Sequence, residues 1–455
     1  MTDDSTSSDD PTGRADVDRD GPAAEPDEEM VALGVPAVGF LQSSLWWGYV
    51  ARSLGLALVG AVSALLFVGG TEKLTELIWD EPPSGEAFSG SVRVLVVLTA
   101  AGVLVGLVRR LVPSADEVNV FDGLVAGRVE PHAVPGGLLV ATCSIVGGAS
   151  LGPEVPTGML AGGLATAVAE RQGWDEEGRR AAVTASVSSA WGGLFTSPYV
   201  STLMTLELAH VQSPAFWPFL LIDVAAALVG FVVFYAAGGW ADLLRFLDLP
   251  AYSFAAVDLA WAVLIGVICA VAGVGFVALV RGFHALAAML GPRPLLKGTV
   301  AGLGLGVLAM ALPLTLFNGA NGLVQITERT AEIGVGVIVL SAVCKLAATA
   351  AALGLGFIGG PIFPAMFAGG AIGVAVADVF PDAPVALVVA AGIAALPAGL
   401  VSVPMSTAVL SLLVVGASVE AAPGVLTAAL VAFGLVRGVG ELHLPVRLRP
   451  RIRRI

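Results

Sequence analysis

Apolar residues fill the chain in runs from about residue 50 to about residue 437, with polar breaks of a few residues between them. The runs fall at 50–69, 92–112, 134–148, 154–169, 180–195, 198–209, 214–236, 254–283, 297–316, 334–355, 364–379, 384–399, 401–418 and 422–437. About 20 apolar residues of helix are needed to cross a bilayer. Several runs are shorter, and Gly and Pro interrupt them at ordered positions. Backbone that leaves its helix at membrane depth is tolerated only where protein buries it or a cavity adjoins it. The pattern predicts an all-α polytopic membrane protein whose broken helices surround a transport pathway. It excludes the two or three soluble domains that 455 residues would otherwise suit.

The breaks repeat. Residues 152–156 read GPEVP and residues 360–364 read GPIFP; residues 185–198 read ASVSSAWGGLFTSP and residues 391–404 read AGIAALPAGLVSVP. Gly152 and Gly360 stand 208 residues apart, and Pro198 and Pro404 stand 206 apart. Two blocks at nearly one offset predict a duplicated membrane domain, with halves over 37–248 and 249–446. Matching Gly/Pro-interrupted segments in two halves are the strongest sequence pointer to a transporter's binding site.

Both motifs have the composition of a helix start. Gly permits the turn, and Pro fits the first helical turn, where its missing N–H costs nothing. A helix N-terminus presents free N–H donors and about half a positive elementary charge, which suits an anion. Pro153 and Pro361 cannot donate, so the N–H groups just beyond them must.

Leu151-Gly152-Pro153 and the stretch from Gly360 to Pro364 resemble two elements of the CLC chloride channel and transporter family. In that family a Gly-x-Gly-Pro sequence precedes one helix and Gly-x-Phe-x-Pro precedes its repeat partner. The stretch from Trp191 to Leu208, with Pro198 inside it, resembles the family's following Asn-Ala-Pro helix, and residues 402–413 resemble its second-half counterpart. The likeness covers roughly residues 40–440. It implies an inverted repeat of broken helices and a homodimer with one pore per subunit. It also implies transport of a small inorganic anion, chloride foremost, and not enzymatic catalysis. Carried onto this chain, it puts Ser150, Leu151, Gly152, Glu154, Gly360, Ile362 and Phe363 around the ion.

The chain departs from the family at telling positions. The family's gating glutamate position holds Leu151, and its internal proton glutamate aligns with Leu208, one residue after Glu207. The Gly-Ser-Gly-Ile-Pro element has no clear counterpart, Ser114-Ala115-Asp116 being the nearest stretch. The last tyrosine is Tyr252, so the pore tyrosine near the family's C-terminus is missing. The expectation is therefore channel-like, passive or weakly coupled anion transport by a divergent branch. The alternative is a proton-coupled chloride antiporter with Glu154 as a relocated gate.

Single residues keep two readings each. Glu154 either competes with the anion for the helix end or caps its own helix. Glu207 is either a solvated interface residue or part of a proton path. Asp223, in FLLIDVAAA, is expected to face a neighbouring helix and is given no function. GASLG at 148–152 fits the nucleophile-elbow pattern, but none of the four histidines (His132, His210, His284, His443) sits in a supporting motif. Ser150 is expected to cap the helix or to offer its hydroxyl to an anion.

Composition and charge add detail. Hydrophobic residues make up 56% of the chain and charged residues 13%, which excludes an ordinary soluble domain. The 57 glycines predict close helix packing, since lipid leaves burial little to drive helix association. The net charge of −13 is concentrated in residues 1–36, a segment too polar to bury a core. The end, 447–455, is Arg-rich, which predicts cytoplasmic termini in a multi-pass cell-membrane protein. Twenty Arg against three Lys, with acidic excess, points to the high-salt cytoplasm of a halophilic archaeon. Cys143, Cys269 and Cys344 lack metal-ligand spacing. No cofactor, metal or nucleic-acid partner is expected.

Overall fold

The computed structural model describes residues 44–79, 91–114, 120–209, 216–238, 247 and 249–443. The acidic segment 1–36, the Arg-rich segment 447–455, Ala115 and Asp116 lie outside these residues. The described chain is helical: α1 (Ser44–Trp79), α2 (Val92–Leu111), α3 (Val120–Ala126), α4 (Val134–Val146), α5 (Glu154–Arg171), α6 (Glu176–Leu194), α7 (Pro198–Ala209) and α8 (Phe216–Gly238) in the first half. The second half holds α9 (Asp258–Met289), α10 (Pro294–Ala311), α11 (Ala320–Glu328), α12 (Thr330–Ile333), α13 (Val335–Leu355), α14 (Ile362–Val379), α15 (Val385–Val401), α16 (Pro404–Val415) and α17 (Ala422–His443). Among the described residues, eight helices are long and apolar enough to cross a membrane.

Proline sets most of the breaks. Val112, Arg293, Leu312 and Val403 each precede a proline and carry φ between −124° and −134°, the extended backbone that a following proline ring enforces. Leu312 divides the apolar run 297–316, which the sequence reads as one piece. Helix α10 ends there, and a single 3₁₀ turn over Pro313–Thr315 follows. Helix α6 starts before its apolar run because the Asp175 side chain accepts the Gly178 N–H at 2.9 Å, an N-cap.

The repeat is written into the backbone as well as the sequence. Gly148 and Gly356, 208 residues apart, both have positive φ (86° and 103°). Thr196 and Ser402, 206 residues apart, are two of three non-glycine residues with positive φ among those described (52° and 67°). Each stands two residues before the proline that opens a matched helix, α7 or α16. The same strained turn therefore occurs twice.

Small residues hold the helices together. On α14 and α15 a Cβ added at Gly369 would lie 2.0 Å from the Gly392 carbonyl oxygen, and one at Gly392 would lie 2.1 Å from the Gly369 oxygen. Helices α2 and α10 meet the same way through Gly102 and Gly298. Gly392→Val must therefore push α14 and α15 apart, at an overpacking cost of about 3 kcal/mol. The expected result is early thermal unfolding in detergent, while Val at exposed, uncontacted Gly304 changes little.

Candidate functional site

Helices α5 and α14 begin at one place in the middle of the molecule. Their leading segments pair as a short antiparallel bridge: Gly152 N–H donates to the Gly360 carbonyl, and Gly360 N–H to the Gly152 carbonyl, each at 2.8 Å. The glycine N–H groups are thus consumed, and the prolines have none. The donors left at the start of α14 are those of Ile362 and Phe363.

Glu154 crosses from one half to the other. Its Oε1 accepts the Ile362 N–H at 2.7 Å, and the N–H groups of Phe363 and of Glu154 itself also face the carboxylate. The side chain is fully buried, and Oε2 has no hydrogen-bond partner. It is therefore not a cap on its own helix alone: the carboxylate sits on the opposite helix end. Pro153, the N-cap residue of α5, supplies no side-chain bond. Trp191 of α6 donates its Nε1–H to the Glu154 carbonyl at 2.8 Å, fixing the backbone beneath.

The bridge glycines make room for this carboxylate. A Cβ at Gly360 would lie 1.9 Å from Glu154 Cδ, and one at Gly152 would lie 2.0 Å from Oε2. The obstructed atoms are the end of a flexible side chain, so Gly360→Ala is expected to fold and to displace Glu154. Its transport should then resemble that of a Glu154 variant; flux and pH response identical to wild type would contradict this.

A cavity of about 370 Å³ approaches from one side, reaching Leu151 and Pro153. Glu72 and Glu76 of α1 line it, with Trp79, Leu314 and the residues from Leu316 to Gly319. Phe363 stacks on Phe195 (centroids 5.7 Å apart) on a second, smaller cavity of about 40 Å³. The arrangement offers a dry central position between two helix N-termini, able to hold one negative charge, with a wide approach from one side.

Comparison with known proteins fits this geometry. The sequence profile described as voltage gated chloride channel matches residues 100–437, well over half the chain. The chain belongs to the voltage-gated chloride channel family. Proteins named "Putative ion-transport protein YfeO" from Salmonella choleraesuis (strain SC-B67) and Salmonella typhimurium are 30% identical over 335 residues, 70% of this chain and 79% of theirs. The fold matches the crystal structure of a slow cyanobacterial Cl−/H+ antiporter (TM-score 0.71, 17% identity, 86% of this chain and 95% of that one). It equally matches a CLC-type fluoride/proton antiporter (TM-score 0.72, 18% identity, 86% and 95%).

In this member of the voltage-gated chloride channel family, the other residues singled out from sequence fall as follows. Leu151 is buried and lines the large cavity. Ser150 neither caps α5 nor points at an open position: its hydroxyl pairs with Thr349 Oγ1 of α13 at 2.8 Å. That bond, to a threonine and not a histidine, removes the basis for a nucleophile elbow. Glu207, at the end of α7, caps the matched helix of the other half. Its oxygens accept the N–H groups of Met405 (2.7 Å) and Ser406 (3.0 Å) and the Ser406 hydroxyl. Asp223 faces α7, where the Thr205 hydroxyl donates to it.

Lys345 is the residue that sequence reasoning missed. It is fully buried in α13. Its ammonium donates to the carbonyls of Leu314 (3.2 Å), Leu316 (2.6 Å) and Phe317 (2.8 Å) and lies 5.2 Å from the centre of the Phe367 ring. It holds the wall of the large cavity and sets a positive charge behind it. The signal was available: it is one of three lysines in the chain and stands in the middle of an apolar run. An intramembrane cation is a functional candidate by default.

Proposed function

We propose that the protein carries small inorganic anions, chloride foremost, across the cell membrane, and that the Glu154 carboxylate gates the path. The observation that carries this reading is the bond from Glu154 to the Ile362 N–H across the two halves. A carboxylate there occupies the position that a helix end offers to an anion. An anion can enter only when the carboxylate leaves, and a proton on it weakens its hold on the N–H group. Ser150, Leu151, Gly152, Gly360, Ile362 and Phe363 shape the position, chiefly through backbone. A homodimer with one pathway per subunit is part of the same proposal.

The same carboxylate supports a second reading, proton-coupled exchange, because a gate that opens on protonation can carry its proton with it. Two structures sharing the fold are titled as chloride/proton and fluoride/proton antiporters, so both halides belong in the test. Purified protein in liposomes under a chloride or fluoride gradient is expected to release anion at least about tenfold faster than empty vesicles, a barrier difference of about 1.4 kcal/mol, and faster still in acid. Release equal to that of empty vesicles for every anion would end the proposal.

A further inference from the structure

We propose that Glu72 and Glu76 of α1 form an acidic flank of the large cavity, which slows the entry of anions at low ionic strength and releases it at high ionic strength. The proposal rests on the transport reading above, in which the anion reaches Glu154 through this cavity.

Six residues of α1 line the cavity: Val68, Thr71, Glu72, Thr75, Glu76 and Trp79. They recur at helical spacing, so one face of α1 looks into it. Three of them carry donors, and all three donors are engaged. The Thr71 hydroxyl donates to the Val68 carbonyl (2.8 Å), the Thr75 hydroxyl to the Thr71 carbonyl (2.7 Å), and Trp79 Nε1–H to the Val146 carbonyl (2.8 Å). What this face still offers is two exposed carboxylates. It repels an anion and holds out no hydrogen bond in compensation.

No cation neutralises the pair. The ion pairs among the described residues lie elsewhere, at Arg128, His132, Arg180 and Arg329, and neither glutamate side chain has a hydrogen-bond partner there. Like charges four residues apart on a helix repel each other, so the pair does nothing for the stability of α1. Lys345 sits behind the wall, its ammonium engaged by the carbonyls of Leu314, Leu316 and Phe317. One positive charge behind the wall against two negative charges on its surface leaves the cavity net negative.

The rest of the lining shows how an anion passes at all. Asn318, Gly319, Asn321 and Gly322 come from the start of α11, where free N–H groups carry a partial positive charge. The anion is drawn along the α11 lining and held back by α1. Leu151 and Pro153, on the same cavity, lead to the central position.

Salt decides how strong the restraint is. A space of about 370 Å³ is about 9 Å across, against a screening length of about 10 Å at 0.1 M salt and about 3 Å at 1 M. In dilute salt both carboxylates act across the whole cavity; in molar salt each acts only on its immediate surroundings. A cleft lined by one sign of charge alters the arrival of ions by a factor of about 10 or more.

The test is tracer chloride uptake into proteoliposomes at about 0.02 M chloride, with ionic strength raised to about 1 M by an impermeant organic salt. Wild type is compared with Glu72→Gln/Glu76→Gln and with the charge-preserving Glu72→Asp/Glu76→Asp. At low ionic strength the Gln pair is expected to take up chloride about tenfold faster than wild type. At high ionic strength the gain should shrink below about twofold, and the Asp pair should follow wild type at both. Equal uptake by the Gln pair and wild type in dilute salt overturns the proposal. So does a gain that persists undiminished in molar salt, because a structural change is not screened.

A second measurement needs no transport. Thr75→Cys places a thiol beside Glu76 and one turn from Glu72, and protein without it serves as the blank for Cys143, Cys269 and Cys344. In dilute salt a cationic methanethiosulfonate should gain at least about tenfold over an anionic one, relative to their rates with a free thiol. The Gln pair should cancel that preference. A ratio equal to that of a free thiol overturns the acidic flank. Absence of chloride uptake in every variant sinks the transport reading instead, and the thiol ratio then still decides the sign of the cavity.

Discussion

Replacing Glu154 with Ala is expected to accelerate anion efflux at neutral pH and to abolish its dependence on acid. In wild type the carboxylate holds the Ile362 N–H at 2.7 Å, and a hydrogen bond to a charged group is worth about 1.5–3 kcal/mol. On the proposed function an anion must displace that bond to enter. Ala leaves the N–H free and the central position empty, so occupancy by the anion should rise about tenfold to a hundredfold. Gln keeps the volume and loses the charge, so it should fall between wild type and Ala and show the same flat pH profile. Efflux from liposomes across acid, neutral and alkaline buffers measures both. An Ala variant no faster than wild type, and still accelerated by acid, would mean that the gate lies elsewhere.

The second large effect is structural. Lys345→Met should cost several kcal/mol and strongly lower the yield of folded protein. The side chain fits by volume, but the carbonyls of Leu314, Leu316 and Phe317 lose their shared donor. Each buried acceptor left without a partner costs about 1–3 kcal/mol. Those carbonyls belong to the irregular turn between α10 and α11, which has no helix ladder to satisfy them. Thermal unfolding in detergent checks the prediction. Where some Lys345→Met protein survives, loss of the positive charge behind the cavity should slow anion entry as well. Wild-type unfolding temperature and flux in this variant would show that Lys345 is a passenger.

Much of this architecture is legible in the chain, because helix starts in membrane proteins are written locally. GPEVP and GPIFP predict two helices beginning with Gly and Pro, and α5 and α14 begin there. The run at 198–209 coincides with α7, since Pro198 and the polar residues after Ala209 bound it on both sides. What is not legible is which end meets which. Nothing near Glu154 says that its carboxylate lies on Ile362, 208 residues away, or that Ser150 pairs with Thr349, 199 residues away. Lys345 hides for the same reason, because its partners are backbone carbonyls, which every residue has. The short helix α11 is missed because ANGLVQITE is too polar for a membrane run. It forms beside α14, against which Leu323 is buried.

The reciprocal Gly152–Gly360 bonds have a kinetic consequence. They lock the two halves at the point where a rocking transporter would need them to part. If Glu154 gates the path as proposed, opening amounts to swinging one carboxyl arm about its own side-chain bonds. Such rotamer changes take picoseconds to nanoseconds, whereas the collective motion of domains takes microseconds to milliseconds. On that proposal, turnover is paced by the arrival of a proton and an ion, and its rate should depend only shallowly on temperature and on the stiffness of the surrounding lipid.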